Sequence, residues 1–344
     1  MKMQRNKKEK NYDYLDDPKY KKTRRSRLKI LFLLLLLTGV MLSISTYAWF
    51  TANRIVSVNS LNVHIDSQGG IEISVDGLAW KTVINEDELK GAVSTYPTSL
   101  NQLPDSLVPT STVGNVTGGF MNMYRGITQG NEDGNYILTT VNSPEALGEE
   151  GDYLAFDIFL KVDKAQEGYL TPNSTVTFTG NNNAGVENAV RIAFLEEGTV
   201  PIGSTQSAIQ SLRGGTSSDL YIWEPNSNTH SPTGIANAYS LFGQTIGANN
   251  PPLNYSGVSG LITEAQNITL NNATAANYPT YFANVNANYK TQTGFAANQQ
   301  IFDLKAGITK YRVYIWVEGQ DVDCENGSSS GDLAFQFQIT TNPS

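Results

Sequence analysis

Beyond residue 50, apolar and polar residues alternate along much of the chain with period two, the spacing of strands that bury one face. Leu154, Phe156, Ile158, Leu160 and Val162 share one face of 153–163. Val190, Ile192 and Phe194 do the same in 188–197, and STVTFTG at 174–180 alternates in like manner. The stretch 311–319 places Val313, Ile315 and Val317 on one face and Tyr314 and Trp316 on the other. In 332–340, Leu333, Phe335, Phe337 and Ile339 oppose Gln336 and Gln338, as in a half-buried antiparallel strand. Shorter strands are predicted at 71–77, ending on the hairpin signal Asp76-Gly77, at 220–223 and at 301–304. About ten strands with few helices predict an all-β fold, a β-sandwich.

Two regions break the alternation. Residues 85–135 are punctuated by Pro97, Pro104, Pro109 and Gly118-Gly119, which predicts loop with one helical turn at Glu86 to Lys90. Residues 224–300 are rich in Asn, Thr, Ala and Gly, a poor fit to regular helix, and are expected to be a large loop insertion. A short helix near 205–213 is expected to close at Gly214. At the start of the strand region the apolar phase flips. Val56 and Val58 alternate in one register and Leu61, Val63 and Ile65 in the other, with the change at Asn59-Ser60. One continuous strand cannot bury both sets on one side. Either a bulge joins them within one sandwich, or the two pieces have different partners.

Residues 30–50, ILFLLLLLTGVMLSISTYAWF, carry no charge over 21 positions. As a helix they span roughly 31 Å, close to a hydrocarbon core of about 30 Å. The basic flank from Lys21 to Lys29 marks the cytoplasmic side, so the long C-terminal part is expected outside. Two readings compete: a permanent single-span anchor, and a secretory signal cut before Thr46 or between Ala48 and Trp49. The expected organisation is a basic cytoplasmic tail at 1–29, the signal or transmembrane segment at 30–50, and an extracellular sandwich at 51–344. With no sorting motif or second apolar tail after the last strand, attachment is expected at the N-terminal end.

Charge sharpens this division. The first 29 residues hold 12 basic and 4 acidic side chains, whereas the rest holds 12 basic and 28 acidic. So acidic a surface repels phosphates and argues against nucleic acid as a partner. The basic tail sets topology or touches the anionic inner leaflet. Cys324 is the single cysteine, so no disulfide forms within the chain.

The junction STYAWFTANRIVSVNSLNV resembles the start of the TasA and camelysin family of Gram-positive surface proteins, in which an Ala-aromatic-Phe stretch runs straight into the first strand. The phrases LKAGITKYRVYIWVEGQDVDC and DLAFQFQI are similar to the C-terminal strands of related exported β-domains. The likeness covers about a quarter of the chain, near its two ends; the long basic tail, the membrane-like leader and the 224–300 insertion depart from it. It implies a jelly-roll sandwich, export, leader removal by a signal peptidase, and self-association into extracellular matrix fibres in which an N-terminal strand completes a neighbour's sheet. On that reading Ile55, Val56 and Val58 belong to a donor strand while 61–65 stay in their own sandwich, and strand addition supplies main-chain hydrogen bonds and side-chain pockets. The alternative to a filament subunit is a membrane-tethered adhesin, or a module that binds glycan or protein.

Camelysin-type proteins have been described as metalloproteases, but a zinc protease helix needs two histidines at i and i+4. The chain has only His64 and His230, in a strand pattern and a loop. No nucleophile elbow or phosphate loop occurs, and no enzyme is expected. Asp321, Asp323, Glu325 and Asp332 are spaced like carboxylates of a calcium loop, although Asn326 stands where that loop needs glycine. A solvated acidic hairpin accounts for the same residues. Trp80, Trp223 and Trp316 form either a sugar platform or core.

Overall fold

The computed structural model describes residues 56–57, 62–130, 136–179, 185–247, 251–254, 256–270, 273–285, 288–291, 298–324 and 332–342. All belong to the second of two units, Tyr47–Ser344. The basic tail, the 30–50 segment, Ala48, Trp49, Ile55, Val58 and the phase change at Asn59-Ser60 lie outside the described residues. Among the described residues no helix is long and apolar enough to cross a membrane.

The chain is mostly β. The strands used below are β1 (Val56–Ser57), β2 (Asn62–Ser67), β3 (Glu72–Ser74), β4 (Val83–Asn85), β5 (Ser106–Leu107), β6 (Tyr124–Gly130), β7 (Tyr136–Asn142) and β8 (Leu154–Val162). They continue with β9 (Gln166–Leu170), β10 (Thr175–Thr179), β11 (Val190–Val200), β12 (Leu220–Glu224), β13 (Tyr289–Thr291), β14 (Gln299–Leu304), β15 (Gly307–Val317) and β16 (Asp332–Thr340). The helices are α1 (Glu86–Gly91), α2 (Gln206–Gln210) and α3 (Pro232–Phe242). One six-stranded sheet runs β13-β12-β11-β15-β8-β3. The other runs β14-β9-β16-β2-β4, with β10 also paired to β16.

The two sheets share one apolar layer, built from the alternating positions. Phe194 of β11 meets Phe302 of β14 at 5.0 Å and Phe337 of β16 at 6.0 Å between ring centres. Tyr311 of β15 meets Phe302 at 5.0 Å, and Trp223 of β12 meets Phe337 at 6.4 Å. All are edge-to-face contacts, the arrangement favoured by the ring quadrupole. Leu333, Phe335, Phe337 and Ile339 are buried as their pattern predicts. One neighbour of β16 differs from the antiparallel expectation. β2 pairs with it in parallel from Asn62↔Ala334 to Ser67↔Ile339, while β10 and β9 pair with it antiparallel. Parallel partners need a long crossover, and here most of the domain lies between them.

The outer face of the first sheet is also buried, which the half-buried pattern did not predict. All eleven residues of β15 are buried. Tyr314 and Trp316 pack with Met121, Met123 and Tyr153, and a further cluster gathers Tyr96, Phe159 and Ile209. The 85–135 segment supplies much of this cover. It contains α1, with a capping box between Asn85 and Glu88, and all of β6, which forms a hairpin with β7. That hairpin escaped the sequence reading because its alternation is weak: Tyr124–Gly130 has no fully buried side chain.

Inside 224–300 the eleven-residue helix α3 also departs from expectation. Its ends explain it. Ser231 Oγ accepts the Gly234 N–H at 2.8 Å, Pro232 occupies the first turn, and Gly243 takes the left-handed cap at φ 65. The short helix expected near 205–213 is α2, capped by Thr205.

Phe194 fills the centre of the intersheet layer. Phe194→Ala is expected to lower the unfolding free energy by about 3–5 kcal/mol, measured by denaturant titration, through lost contact and the cavity left behind.

Candidate functional site

β15 ends in a buried turn, Glu318 to Cys324, that anchors the 224–300 segment to the first sheet. Glu318 accepts the Trp316 Nε1–H at 3.0 Å and the Gln320 N–H at 3.0 Å. Its own N–H reaches Ala189 O at 2.8 Å. The Gln320 amide donates to Ser256 O at 3.2 Å and Ala273 O at 3.0 Å, which ties two loops of the insertion to the turn. Asn237 of α3 donates to Val322 O at 3.0 Å.

Asp321 and Asp323 are drawn into this packing. Asp321 is ion-paired with Arg191, which also holds Glu224 at 2.8 Å, and it accepts the Asp323 N–H at 2.8 Å. Asp323 Oδ1 accepts the Ser231 N–H at 2.8 Å, and Oδ2 lies 2.8 Å from His230 Nδ1. His230 Nε2 lies 3.1 Å from Pro251 O. Both ring nitrogens therefore face acceptors, and the ring satisfies both only when it carries two protons. Burial opposes that charge, but Asp323 and the Pro251 carbonyl outweigh it and raise the His230 pKa above its ordinary value.

Two carboxylates of the calcium set already have protein partners. Asp321 and Asp323 serve Arg191, His230 and backbone amides, Glu325 lies outside the described residues, and Asp332 opens β16 opposite Thr179. Among the described residues, no three His, Cys, Asp or Glu side chains group to hold a metal. His64 stands exposed on β2. The sugar platform is not assembled: Trp223 and Trp316 are wholly buried, and Trp80 is covered by Lys161 at 4.6 Å. Cys324 is buried within the core. Val56 pairs with Leu107 of β5 in a separate two-stranded sheet.

Beside the turn lies a cleft of about 620 Å³. Asn254, Ser256, Thr274, Asn277 and Asn284 line it, with Asp321 on its wall. Amides and hydroxyls of this kind offer donors and acceptors to a hydroxyl-rich or peptide ligand. The sequence reading missed Arg191, Glu224 and Glu318 as members of the site. Their signal was present as charges embedded in apolar strands, VRIAF, YIWEP and YIWVEG.

Burial pushes Glu318 up to about 7, against the hydrogen bonds that favour its ionised form. A carboxyl whose folded pKa exceeds its unfolded value binds its proton more tightly when folded. Its contribution is therefore lost as pH rises from about 4.5 to about 7. His230, also raised, acts in the same direction at higher pH. Glu318→Gln is expected to flatten part of the fall in melting temperature across that window. Because Asp321 and Asp323 already have protein partners, the melting temperature is expected to be the same in calcium and in chelator; a rise with calcium would support the metal reading.

The chain matches no protein-family model, no curated protein and no solved structure.

Proposed function

We propose that the chain is a non-enzymatic structural protein of the cell surface, exported as a jelly-roll-like sandwich and assembled with further copies through its N-terminal strand. The unequal hold on the N-terminal strands supports this reading most directly. β2 is locked between β16 and β4, whereas β1 pairs over two residues with β5, outside both large sheets. A strand that stands outside both large sheets, as β1 does, is suited to exchange its partner for the edge of a neighbouring copy, where main-chain hydrogen bonds and apolar pockets reward it. The resemblance to TasA and camelysin points the same way, with the parallel β2–β16 pair as a departure from an antiparallel jelly roll. The membrane contact at 30–50, and a signal peptidase acting at Ala48-Trp49, belong to the same proposal.

The amide-lined cleft favours a second reading, a membrane-tethered module that binds glycan or protein. The two differ in what the N-terminal strand does. A chain beginning at Trp49 is expected to form fibres, seen by sedimentation and electron microscopy, and one beginning at Asn59 to remain monomeric. Equal polymerisation of both chains would sink the donor-strand proposal; the absence of fibres from both would favour the tethered module.

A further inference from the structure

The outer face of the first sheet holds a lysine and an aspartate in direct contact, away from the buried turn at Glu318 to Cys324. Lys310 Nζ lies 3.0 Å from Asp157 Oδ2, and both side chains are wholly buried. The strands put them there. Asp157 stands opposite Arg312 and Phe159 opposite Lys310, so the two are diagonal neighbours on one face of adjacent antiparallel strands. Tyr96 Oη donates to Asp157 Oδ2 at 2.9 Å, and Arg312 Nη1 donates to Asp157 Oδ1 at 2.7 Å. The rings of Tyr96 and Phe159 lie 5.6 and 6.0 Å from Nζ, which keeps the contact dry.

A second buried carboxyl, Glu197, is electrostatically coupled to both members of the pair. Glu197 sits at a bulge, where the pairing of β11 with β15 shifts between Glu196 and Gly198, and bulges re-aim side chains. It is 1% exposed; Oε2 accepts the Gly215 N–H at 3.0 Å, while Oε1 meets no hydrogen-bond partner among the described residues. Burial pushes Glu197 up, toward the form that can give as well as take a proton, and its charge is felt at Lys310.

We propose that Lys310 and Asp157 join spontaneously in an intramolecular isopeptide bond, with Glu197 relaying the protons. Burial lowers the Lys310 pKa, toward the free amine that attacks. Burial would by itself raise Asp157, but Arg312 and Lys310 hold it as the carboxylate, so one proton must first pass from Nζ to Asp157. That transfer leaves no cation unpaired. Arg312 keeps Glu145, bonded through Nε at 2.9 Å, as its counter-charge. The Nζ lone pair then attacks Cγ and an N–C bond forms. Oδ1 takes the displaced electron pair beside the Arg312 guanidinium, as in an oxyanion site. Glu197 takes a second proton from the nitrogen and delivers it to Oδ2; the Cγ–Oδ2 bond breaks and that oxygen leaves as water. Ammonium plus carboxylate gives amide plus one water, with no oxidant and no other reactant. The product ties two inner strands of one sheet covalently, in a chain whose single cysteine permits no internal disulfide.

The test is tryptic digestion of the denatured full-length protein followed by mass spectrometry. Trypsin does not cut after an acylated lysine, so the wild type is expected to yield a branched peptide joining 126–161 to 306–312, one water lighter than its two parts. Lys310→Arg keeps the charge but cannot form the amide, and is expected to yield linear peptides alone. Glu197→Gln is expected to be recovered mostly unjoined. Free 126–161 and 306–310 as the main wild-type products would overturn the bond; fully joined Glu197→Gln protein would overturn the relay.

Discussion

Arg191, Lys310 and Arg312 lie fully buried on the outer face of the first sheet, and each keeps its anion: Asp321 and Glu224 for Arg191, Asp157 for Lys310, Asp157 and Glu145 for Arg312. Removing one partner from such a pair costs about 3–5 kcal/mol, because a charge is left in a medium that cannot solvate it. This constraint explains the cover over that face. Tyr96 and Gln210 O complete the shell of Lys310, and Leu100 O that of Arg312. Segments distant in sequence must therefore close over β15 together.

The same face separates what was legible in the sequence from what was not. Strands β8, β11, β15 and β16 were readable because one face of each repeats apolar residues with period two and packs against the other sheet. The second face of β15 was misjudged. Lys310 and Arg312 alternate with the apolar set as solvent-facing residues would, and nothing local announces that Asp157 and Glu145, more than 150 residues earlier, will neutralise them. The calcium-like spacing met the same difficulty: Asp321 and Asp323 are neighbours in sequence, but Arg191 and His230 reach them across the fold. Helix α3 is a different case. Its caps, Ser231-Pro232 and Gly243, were present in the sequence, and the Asn-rich composition around them obscured a helix whose ends were well specified.

The turn from Glu318 to Cys324 joins these levels. It continues β15 directly, so its position is set by the sheet. It receives the cap of α3 through Asp323 and two insertion loops through Gln320, so it also sets the 224–300 segment and the cleft beside it. A proton lost from His230 leaves one of its two acceptors without a donor, at the point where insertion and sheet meet.

The parallel pairing of β2 with β16 has a mechanical consequence. The chain enters β2 at Asn62 and leaves β16 at Thr340, and the two strands run side by side in the same direction. A pull applied between the entry to β2 and the exit from β16 drags the two strands lengthwise past each other. The ladder bonds between them are then loaded all at once, in shear, whereas a hairpin pulled at its open end parts one bond at a time. Force carried through the domain from one end of its chain to the other therefore meets its resistance at the seam where the first strand of the sandwich lies against the last.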